Sequence, residues 1–590
     1  MSGGERAWWK EAVVYQIYPQ SFNDSDGDGI GDIPGIVEKA DYLDDLGVDV
    51  VWLNPVYDSP HADNGYDIRD YRAILDEFGT MADWERLIEE LHDRDIRLIM
   101  DLVVNHTSDE HDWFLRSRED HARAGDGDLE SGDRDDPDAD YRDWYVWRDG
   151  DPDDPPNNWT GAFGGSAWTY DEDVGKWYLH LFLEKQPDLN WKNPEVREAV
   201  YDMMEWWLEE GIDGFRMDVI NLLSKPQSLP DGDPDDEWVG HEHFIDGPRI
   251  DEYLTELTER TLDNYDTMNV GECVGATPEH ARRYIDGGLD MIFHFEHVRL
   301  DWDEEDGWWR LRDWDLTEFK EVFTRWDREV ADEGGWNATY LGNHDQPRIV
   351  SRFGDDDQHR VASAKTLATF LLTMRGTPYI MQGDEIGMTN YPFESMSEVI
   401  DPQTAGRVRE GMAAGRIDSF DDVRHLVRAR SRDNARTPVQ WTDGEHAGFT
   451  EGDPWLPVNP DHASVNVADA RADEDSVWHY YRDLIALRDD HAVIVYGDYD
   501  LLLPDHREIY AYTRTLDDET LLVVCNFDDG TPTFELPDGV AFEESELLIG
   551  THGGEVAAAA TATDREPTDA PAAPERFDLR PWESRVYLLS

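Results

Sequence analysis

Eight short runs rich in β-branched and aromatic residues recur along this chain, at 13–19, 50–55, 96–106, 213–219, 268–273, 291–296, 339–345 and 378–385. Segments with helical periodicity lie between them, among them 35–46, 81–94, 193–210, 250–264, 316–332 and 362–372. Such alternation predicts parallel strands covered by helices, and eight units predict a closed (β/α)8 TIM barrel of the α/β class. A doubly wound open sheet would satisfy the alternation too. The polar residues decide between them, because they gather where the runs end: Asn105-His106, Arg216 and Asp218, Glu272, Glu296, His344-Asp345 and Asp384-Glu385. A barrel active site is built at the C-terminal ends of its strands and needs that bunching.

The barrel is expected to occupy 1–106 and 175–492. Residues 107–174 lack a strand–helix unit and are rich in Asp, Gly and Trp, so they read as a lobe inserted after the third strand, with 125–140 as a solvated acidic loop. A further irregular insertion is expected near 390–449, and a helix near 477–488 closes the barrel. Short strands at 509–513, 521–527 and 584–589 predict a C-terminal antiparallel β-sandwich over 493–590, with the Ala/Thr/Asp/Pro-rich stretch 557–574 as a flexible loop.

Charge limits what the chain can bind. Lys plus Arg total 52 against 133 Asp plus Glu, so the formal charge is 52 − 133 = −81, which repels phosphate backbones and anionic lipid. Nucleic-acid and membrane-surface partners are therefore not expected. The 24 tryptophans supply far more core-forming surface than a disordered acidic chain has. The acidity is spread along the whole sequence and only eight cations are lysine, a pattern that suits a halophile's strongly hydrated surface. Cys273 and Cys525 can form one disulfide at most and have no metal-ligand spacing, so reduced thiols are expected. The first residues lack a basic stretch followed by an apolar one, and no run of 18 apolar residues occurs, which points to a cytoplasmic protein.

Three carboxylates sit at predicted strand ends in apolar surroundings: Asp218 in DGFRMDV, Glu272 in NVGEC and Asp345 in LGNHDQPR. Two carboxyl groups about 5 to 5.5 Å apart can cleave a glycosidic bond with retention, one attacking the anomeric carbon while the other gives and then takes a proton. Arg216 points to the same strand face as Asp218 and would keep it ionised. The loop DSDGDGIGD places Asp24, Asp26, Asp28 and Asp32 with the Ile30 carbonyl at alternating positions, an oxygen cage for Ca²⁺ or Mg²⁺. Position twelve is Gly35 where an EF-hand needs a bidentate Glu, so a structural ion is expected instead of a signalling one.

DLVVNH (101–106), GFRMDVI (214–220), VGEC (270–273), LGNHD (341–345), QPDLNW (186–191) and GTPYIMQGDEIG (376–387) resemble, in order, the signature regions of the alpha-amylase family, glycoside hydrolase family 13. DNGYDI (63–68), NNWTGAFGGSAW (157–168), YLHLFLEKQPDLNW (178–191) and RDNARTPVQW (432–441) are most similar to its oligo-1,6-glucosidase and alpha-glucosidase branch. The resemblance spans Trp8 to about Arg488. It implies Asp218 as nucleophile, Glu272 as acid/base and Asp345 as the third acid gripping sugar hydroxyls. It further implies His106 and His344 as donors to the sugar, Tyr66 as a ring face for the nonreducing glucose, and Phe163 and Phe182 as pocket wall.

In that branch a pair resembling Asp63 and Arg436 closes the pocket and makes the enzyme exo-acting, Arg432 being the other candidate for the pair. The same loop 24–32 resembles a structural metal site, and no organic cofactor is implied. Val219, directly after the nucleophile, resembles α-1,6-preferring members. The loop from Arg299 to Asp303 partly resembles the RLDRD loop of sucrose isomerases, with Trp302 in place of the second Arg. The implied activity is thus release of α-glucose from short α-1,6 or α-1,4 glucosides, with transglycosylation as a side reaction, by a monomer or weak homo-oligomer. Sucrose isomerase or glucosyltransferase activity is the alternative within the family. A catalytically dead binding or chaperone subunit is the alternative outside it, disfavoured because all three acids are present.

The charge gives a first prediction. Screening is strong in molar salt and the Debye length returns to about 10 Å near 0.1 M, so stability and activity should fall on dilution from about 4 M KCl to about 0.1 M. Melting curves across that range check it, and a curve indifferent to ionic strength refutes the halophilic reading.

Overall fold

The computed structural model describes residues 6–123, 140–303, 305–552 and 575–590. The expected loops at 125–140, apart from Asp140, and 557–574 lie outside the described residues. Eight parallel strands form one sheet: β1 (Val14–Ile17), β2 (Val50–Leu53), β3 (Arg97–Leu102), β4 (Gly214–Met217), β5 (Met268–Glu272), β6 (Met291–Phe293), β7 (Ala338–Thr339) and β8 (Thr377–Met381). Neighbours in sequence pair from β1 to β6, β7 pairs with β8, and β8 returns to β1. Between β6 and β7 the wall is closed by side chains: the Tyr340 hydroxyl donates to the His294 carbonyl at 2.6 Å, and the rings of Phe293 and Tyr340 lie edge to face.

Each strand is buried on both faces, which is why it reads as a continuous apolar run. One set of alternating residues, including Val14, Val50, Trp52, Ile99, Val270, Phe293 and Tyr379, fills the barrel interior. The other set, including Tyr15, Val51, Leu98 and Phe215, packs under the helices. The helices start where capping chemistry permits, as at Met81–His92, whose Thr80 and Asp83 form a capping box, and at Pro194–Glu209, capped by Asn193. Gly214 opens β4 at φ +143, and a Cβ there would stand 1.9 Å from the Met268 carbonyl oxygen, so this entry to the catalytic strand admits only glycine.

Between β3 and β4 the chain forms the helix Asp112–Arg123 and a three-stranded antiparallel sheet of Trp147–Arg148, Lys176–Leu179 and Trp168–Asp171. Its apolar residues Trp159, Leu179 and Leu181 pack against Val219 and Leu222, which seats the lobe on the loop that follows β4. The stretch near 390–449, expected to be irregular, instead contains the helices Pro402–Ala413 and Phe420–Arg430. Their caps, Asp401 before Pro402 and Ser419 with Asp422, are helix-start signals that the sequence reading passed over.

The C-terminal region is a five-stranded antiparallel sheet in the order Asp498–Leu502, Ile509–Leu516, Glu519–Asn526, Ser584–Leu589, Ser545–Gly550. A two-stranded ribbon, Thr533–Glu535 with Arg576–Asp578, packs on it around Leu522, Val524, Phe534 and Leu579. Buried Arg514 ties this sheet to the barrel by donating to the carbonyls of Thr373, Ile494, Val495 and Gly497. Cys273 and Cys525 are free and buried. Among the described residues no helix is long and apolar enough to cross a membrane.

Candidate active site

A cavity of about 740 Å³ opens at the C-terminal ends of the barrel strands. Asp63, Tyr66, His106, Phe163, Phe182, Asp218, Val219, Glu272, Asp345 and Arg432 line it. Arg216 and His344 lie beneath, both buried.

One guanidinium organises the floor. Arg216 on β4 is fully buried; its Nη1 donates to Asp218 Oδ1 at 2.5 Å and to Asp101 Oδ1 at 2.7 Å, and its Nη2 faces Glu272 Oε2 at 2.7 Å. Strand register places Asp101 directly opposite Arg216. Asp101 was passed over in the sequence, although it opens the DLVVNH run; its second oxygen accepts from Trp52 Nε1 at 2.9 Å. Burial pushes the Asp101 carboxyl up to about 6, against the pull of Arg216. Burial also pushes Asp218 well above the usual carboxylate range, with Arg216 opposing and Glu272 and Asp101 reinforcing. Asp218 and Glu272 face the same guanidinium across the floor, the juxtaposition of two carboxyl groups that double displacement uses.

Val219, next to Asp218, sits at φ 36, ψ 41, an uncommon conformation for a β-branched residue. This turn aims its backbone N–H at Glu272 Oε2, 3.1 Å away. Strain of about 1–3 kcal/mol is typical where a site fixes its geometry in this way.

Neighbouring amides set the tautomers of both histidines. Gln16 Nε2 lies 2.7 Å from His344 Nδ1 and can only donate, so Nδ1 accepts and the proton sits on Nε2, 2.8 Å from the Tyr66 hydroxyl. Burial pushes the His344 imidazole down to about 3, so it is neutral at pH 7. Tyr66 stacks on it at 5.4 Å. Asp345 is partly exposed; its desolvation opposes ionisation, but His344 and the guanidinium groups of Arg432 and Arg436 hold its carboxyl below the usual range. With His344 neutral, the two arginines supply that charge.

The closing pair differs from expectation. Arg436 does not meet Asp63; it donates to Asp345 Oδ1 at 2.7 Å and to the His344 carbonyl at 2.9 Å. Arg432 is the partner: its Nη2 lies 3.5 Å from Asp63 Oδ1, its Nη1 3.1 Å from Asp345 Oδ1, and its Nε 2.7 Å from buried Asp401. Arg432 precedes and Arg436 ends the short helix Asp433–Arg436, and Asp401 holds Arg432 from the helix-bearing insertion. Gln186, also missed, donates to Asp63 Oδ2 at 3.0 Å. Phe163 lies under the Arg432 guanidinium at 5.0 Å and meets Phe182 edge to face, and Phe182 packs on His106 at 5.0 Å. These two rings form the wall.

In the loop 24–32, Asp24, Asp26 and Asp28 bring oxygens within 4.8 Å of one another, a donor set that suits a hard divalent cation. Asp32 does not join them. It caps the helix Ile33–Glu38 through Gly35 N–H at 2.6 Å, and its other oxygen accepts from the Ser25 N–H and hydroxyl at 2.9 Å. Pro34 in the first helical turn was the signal for that cap. Ile30 enters the loop by donating its N–H to Asp28 Oδ1 at 2.8 Å.

Residues 16–497 match the profile described as Alpha amylase, catalytic domain, and 499–552 match Maltogenic Amylase, C-terminal domain. An oligo-1,6-glucosidase of Parageobacillus thermoglucosidasius is 52% identical, with 99% of each chain covered. The solved trehalose-6-phosphate hydrolase of Bacillus licheniformis superposes with a TM-score of 0.87 at 45% identity, over 99% of this chain and 100% of that one. A trehalulose synthase structure gives 0.89 at 42% identity, with the same coverage.

The closing pair can be tested by coupling. In double-mutant cycles on kcat/KM for an aryl α-glucoside, Asp63→Asn and Arg432→Gln should be non-additive by about 0.5–3 kcal/mol, while Asp63→Asn and Arg436→Gln should add within about 0.5 kcal/mol. The reverse pattern would restore Arg436 as the partner.

Proposed function

Because the chain belongs to the alpha-amylase family and is a glycoside hydrolase, we propose that it is an exo-acting, retaining α-glucosidase that frees α-glucose from the nonreducing end of short α-1,6- and α-1,4-linked glucosides. The observation that supports this best is the Asp218–Arg216–Glu272 bridge at the floor of a pocket whose far end is drawn together by Asp63 and Arg432. Asp218 Oδ attacks the anomeric carbon while Glu272 gives its proton to the departing glycosidic oxygen, which forms a β-glucosyl ester. Glu272, now a carboxylate, takes a proton from water as that water attacks the same carbon and releases α-glucose, regenerating Asp218. A second sugar hydroxyl in place of water gives transglycosylation. Asp345 accepts from sugar hydroxyls, and the Nε2–H groups of His106 and His344 donate to them. Tyr66 supplies the ring face. With that far end drawn closed, only a terminal nonreducing glucose fits, so a chain is shortened one residue at a time.

The mouth supports neutral sugars over phosphorylated ones. Asp236, Glu237, Glu242 and Asp246 stand at the cavity rim. Two arginines of the same lining are engaged by carboxylates, Arg407 by Glu237 at 2.7 Å and Arg352 by Asp301 at 2.6 Å, and Arg299 packs over the Trp302 ring. Sucrose isomerisation requires fructose to be retained, and the loop in which Arg299 and Arg430 both pack over the Trp302 ring lacks the second arginine of the isomerase pattern.

In the loop 24–32 the fit of three carboxylates favours a structural Ca²⁺ or Mg²⁺ held by Asp24, Asp26, Asp28 and the Ile30 carbonyl. A bound cation would offset the mutual repulsion of these acids and pin the loop, which already reaches the 449–455 segment through Asp24 to Thr450 and Gly29 to Trp455. Cytoplasmic residence agrees with two buried, reduced thiols, and a halophilic setting with the charge of −81.

Proton NMR of the first product from isomaltose or maltose should show α-glucose; β-glucose, or internal cleavage of long polymers, would contradict the reading. Trehalose 6-phosphate should be turned over at least about tenfold less efficiently than isomaltose, since each rim carboxylate opposes its charge. Chelation in high salt should lower the melting temperature by about 2 °C or more, as removal of a ligand bound only to the folded state does. Asp26→Ala with Asp28→Ala should abolish that sensitivity, and an unchanged chelator response would place the cation elsewhere.

A further inference from the structure

Lys225 lies seven residues beyond Asp218, past the turn Ile220–Leu222, and its side chain is only 5% exposed. Its Nζ stands 2.6 Å from Asp188 Oδ2 and 2.6 Å from Asn105 Oδ1. Lysine is rare here, eight of 52 cations, so a buried lysine on two partners is an uncommon investment for this chain. An ammonium only donates, so the Asn105 amide must turn its oxygen toward Lys225 and its NH2 away. That NH2 faces His106 Nδ1 at 3.2 Å. Nδ1 must then accept, and the proton sits on Nε2, 3.1 Å from the Tyr66 carbonyl at the cavity edge; the Gln186 NH2, 3.2 Å from the same Nε2, directs its two hydrogens to Asp63 Oδ2 and the Tyr66 carbonyl instead.

We infer that Lys225 is a positioning residue for His106: it fixes the Asn105 amide, and through it the tautomer that presents Nε2–H to the sugar subsite. The inference rests on the proposed placing of His106 at the glucose. The same ammonium also seats the wall. Asp188 Oδ1 accepts from Leu181 N–H at 3.0 Å, and the next residue, Phe182, packs on the His106 ring. One buried charge thereby joins the end of β3, the loop after β4 and the inserted lobe.

The charged groups around His106 are Asp188 in the lobe, Lys225 after β4, Asp218 across the cavity, and Asp63, which reaches it through Gln186. Burial pushes the imidazole down to about 4, Asp188 opposes that shift and Lys225 reinforces it. Without Lys225 the lowering charge is lost, Asp188 still raises the value, and Asn105 is free to flip and accept from a protonated Nδ1. His106 should then take up a proton at higher pH.

The test is the pH profile of kcat/KM for p-nitrophenyl α-glucoside in high salt. Lys225→Met should lose about tenfold at neutral pH and move the acid limb up by about one pH unit, while Lys225→Arg, also a pure donor, should restore the limb. A Lys225→Met enzyme with the wild-type limb, or losses uniform in pH and shared by Lys225→Arg, would overturn the inference. Should Lys225→Met fail to fold, Asn105→Leu, which leaves the Lys225–Asp188 pair in place, decides: a raised acid limb supports the relay and a wild-type profile refutes it. His106→Ala separates the two claims. Full activity there would sink the subsite assignment, whereas a crippled His106→Ala beside a normal Lys225→Met would sink only the relay.

Discussion

A single buried guanidinium facing three carboxylates is the constraint on which the rest of the site depends. Arg216 has Asp101, Asp218 and Glu272 within hydrogen-bond reach and lies 5.2 Å over the Trp52 ring. Taking one cation and three anions out of water is expensive, and geometry and extra hydrogen bonds must offset it. The register of β3 against β4 puts Asp101 opposite Arg216, and β5 beside β4 delivers Glu272, so the barrel order itself meets that geometric demand. Burial raises Asp101 and Asp218 against the pull of that one cation. Removing Arg216 would leave buried anions with no compensation, a loss commonly of about 3–5 kcal/mol.

Neutral histidines form the complementary part. His106 and His344 are each held as the Nε2–H tautomer by an amide that faces Nδ1, from Asn105 and Gln16 respectively. Both imidazoles are buried too deeply to charge at neutral pH. The sugar subsite therefore presents fixed donors beside the anionic acids without adding cations that would quench them. Beyond Arg216 on the floor, Arg432 and Arg436 bring positive charge to Asp345.

The sequence exposed the barrel because strands buried on both faces must be apolar throughout, and it exposed Asp218, Glu272 and Asp345 because polar residues at the ends of such runs stand out. It did not expose contacts made across long separations. Asp101 meets Arg216 from 115 residues away. Asp63 lies 369 residues from Arg432, and choosing Arg432 over Arg436 needs the orientation of one short helix, set by Asp401. Asp32 was misjudged for a local reason. An acidic residue before Ile-Pro-Gly is a helix cap as readily as a metal ligand, and the Gly35 N–H took it. The helices at 402–413 and 420–430 had legible caps but weak amphipathic patterns in a polar stretch.

The central claim is that Asp218 forms a covalent ester while Arg216 couples it to Glu272. Incubation with a 5-fluoro-α-glucosyl fluoride, whose fluoride leaves without protonation and whose ring fluorine slows deglycosylation, followed by peptide mass spectrometry, tests it most directly. The account predicts one fluoroglucosyl group on the peptide containing Asp218, absent in Asp218→Asn. A label on Glu272 or Asp345, or steady turnover with no label on any peptide, would contradict it.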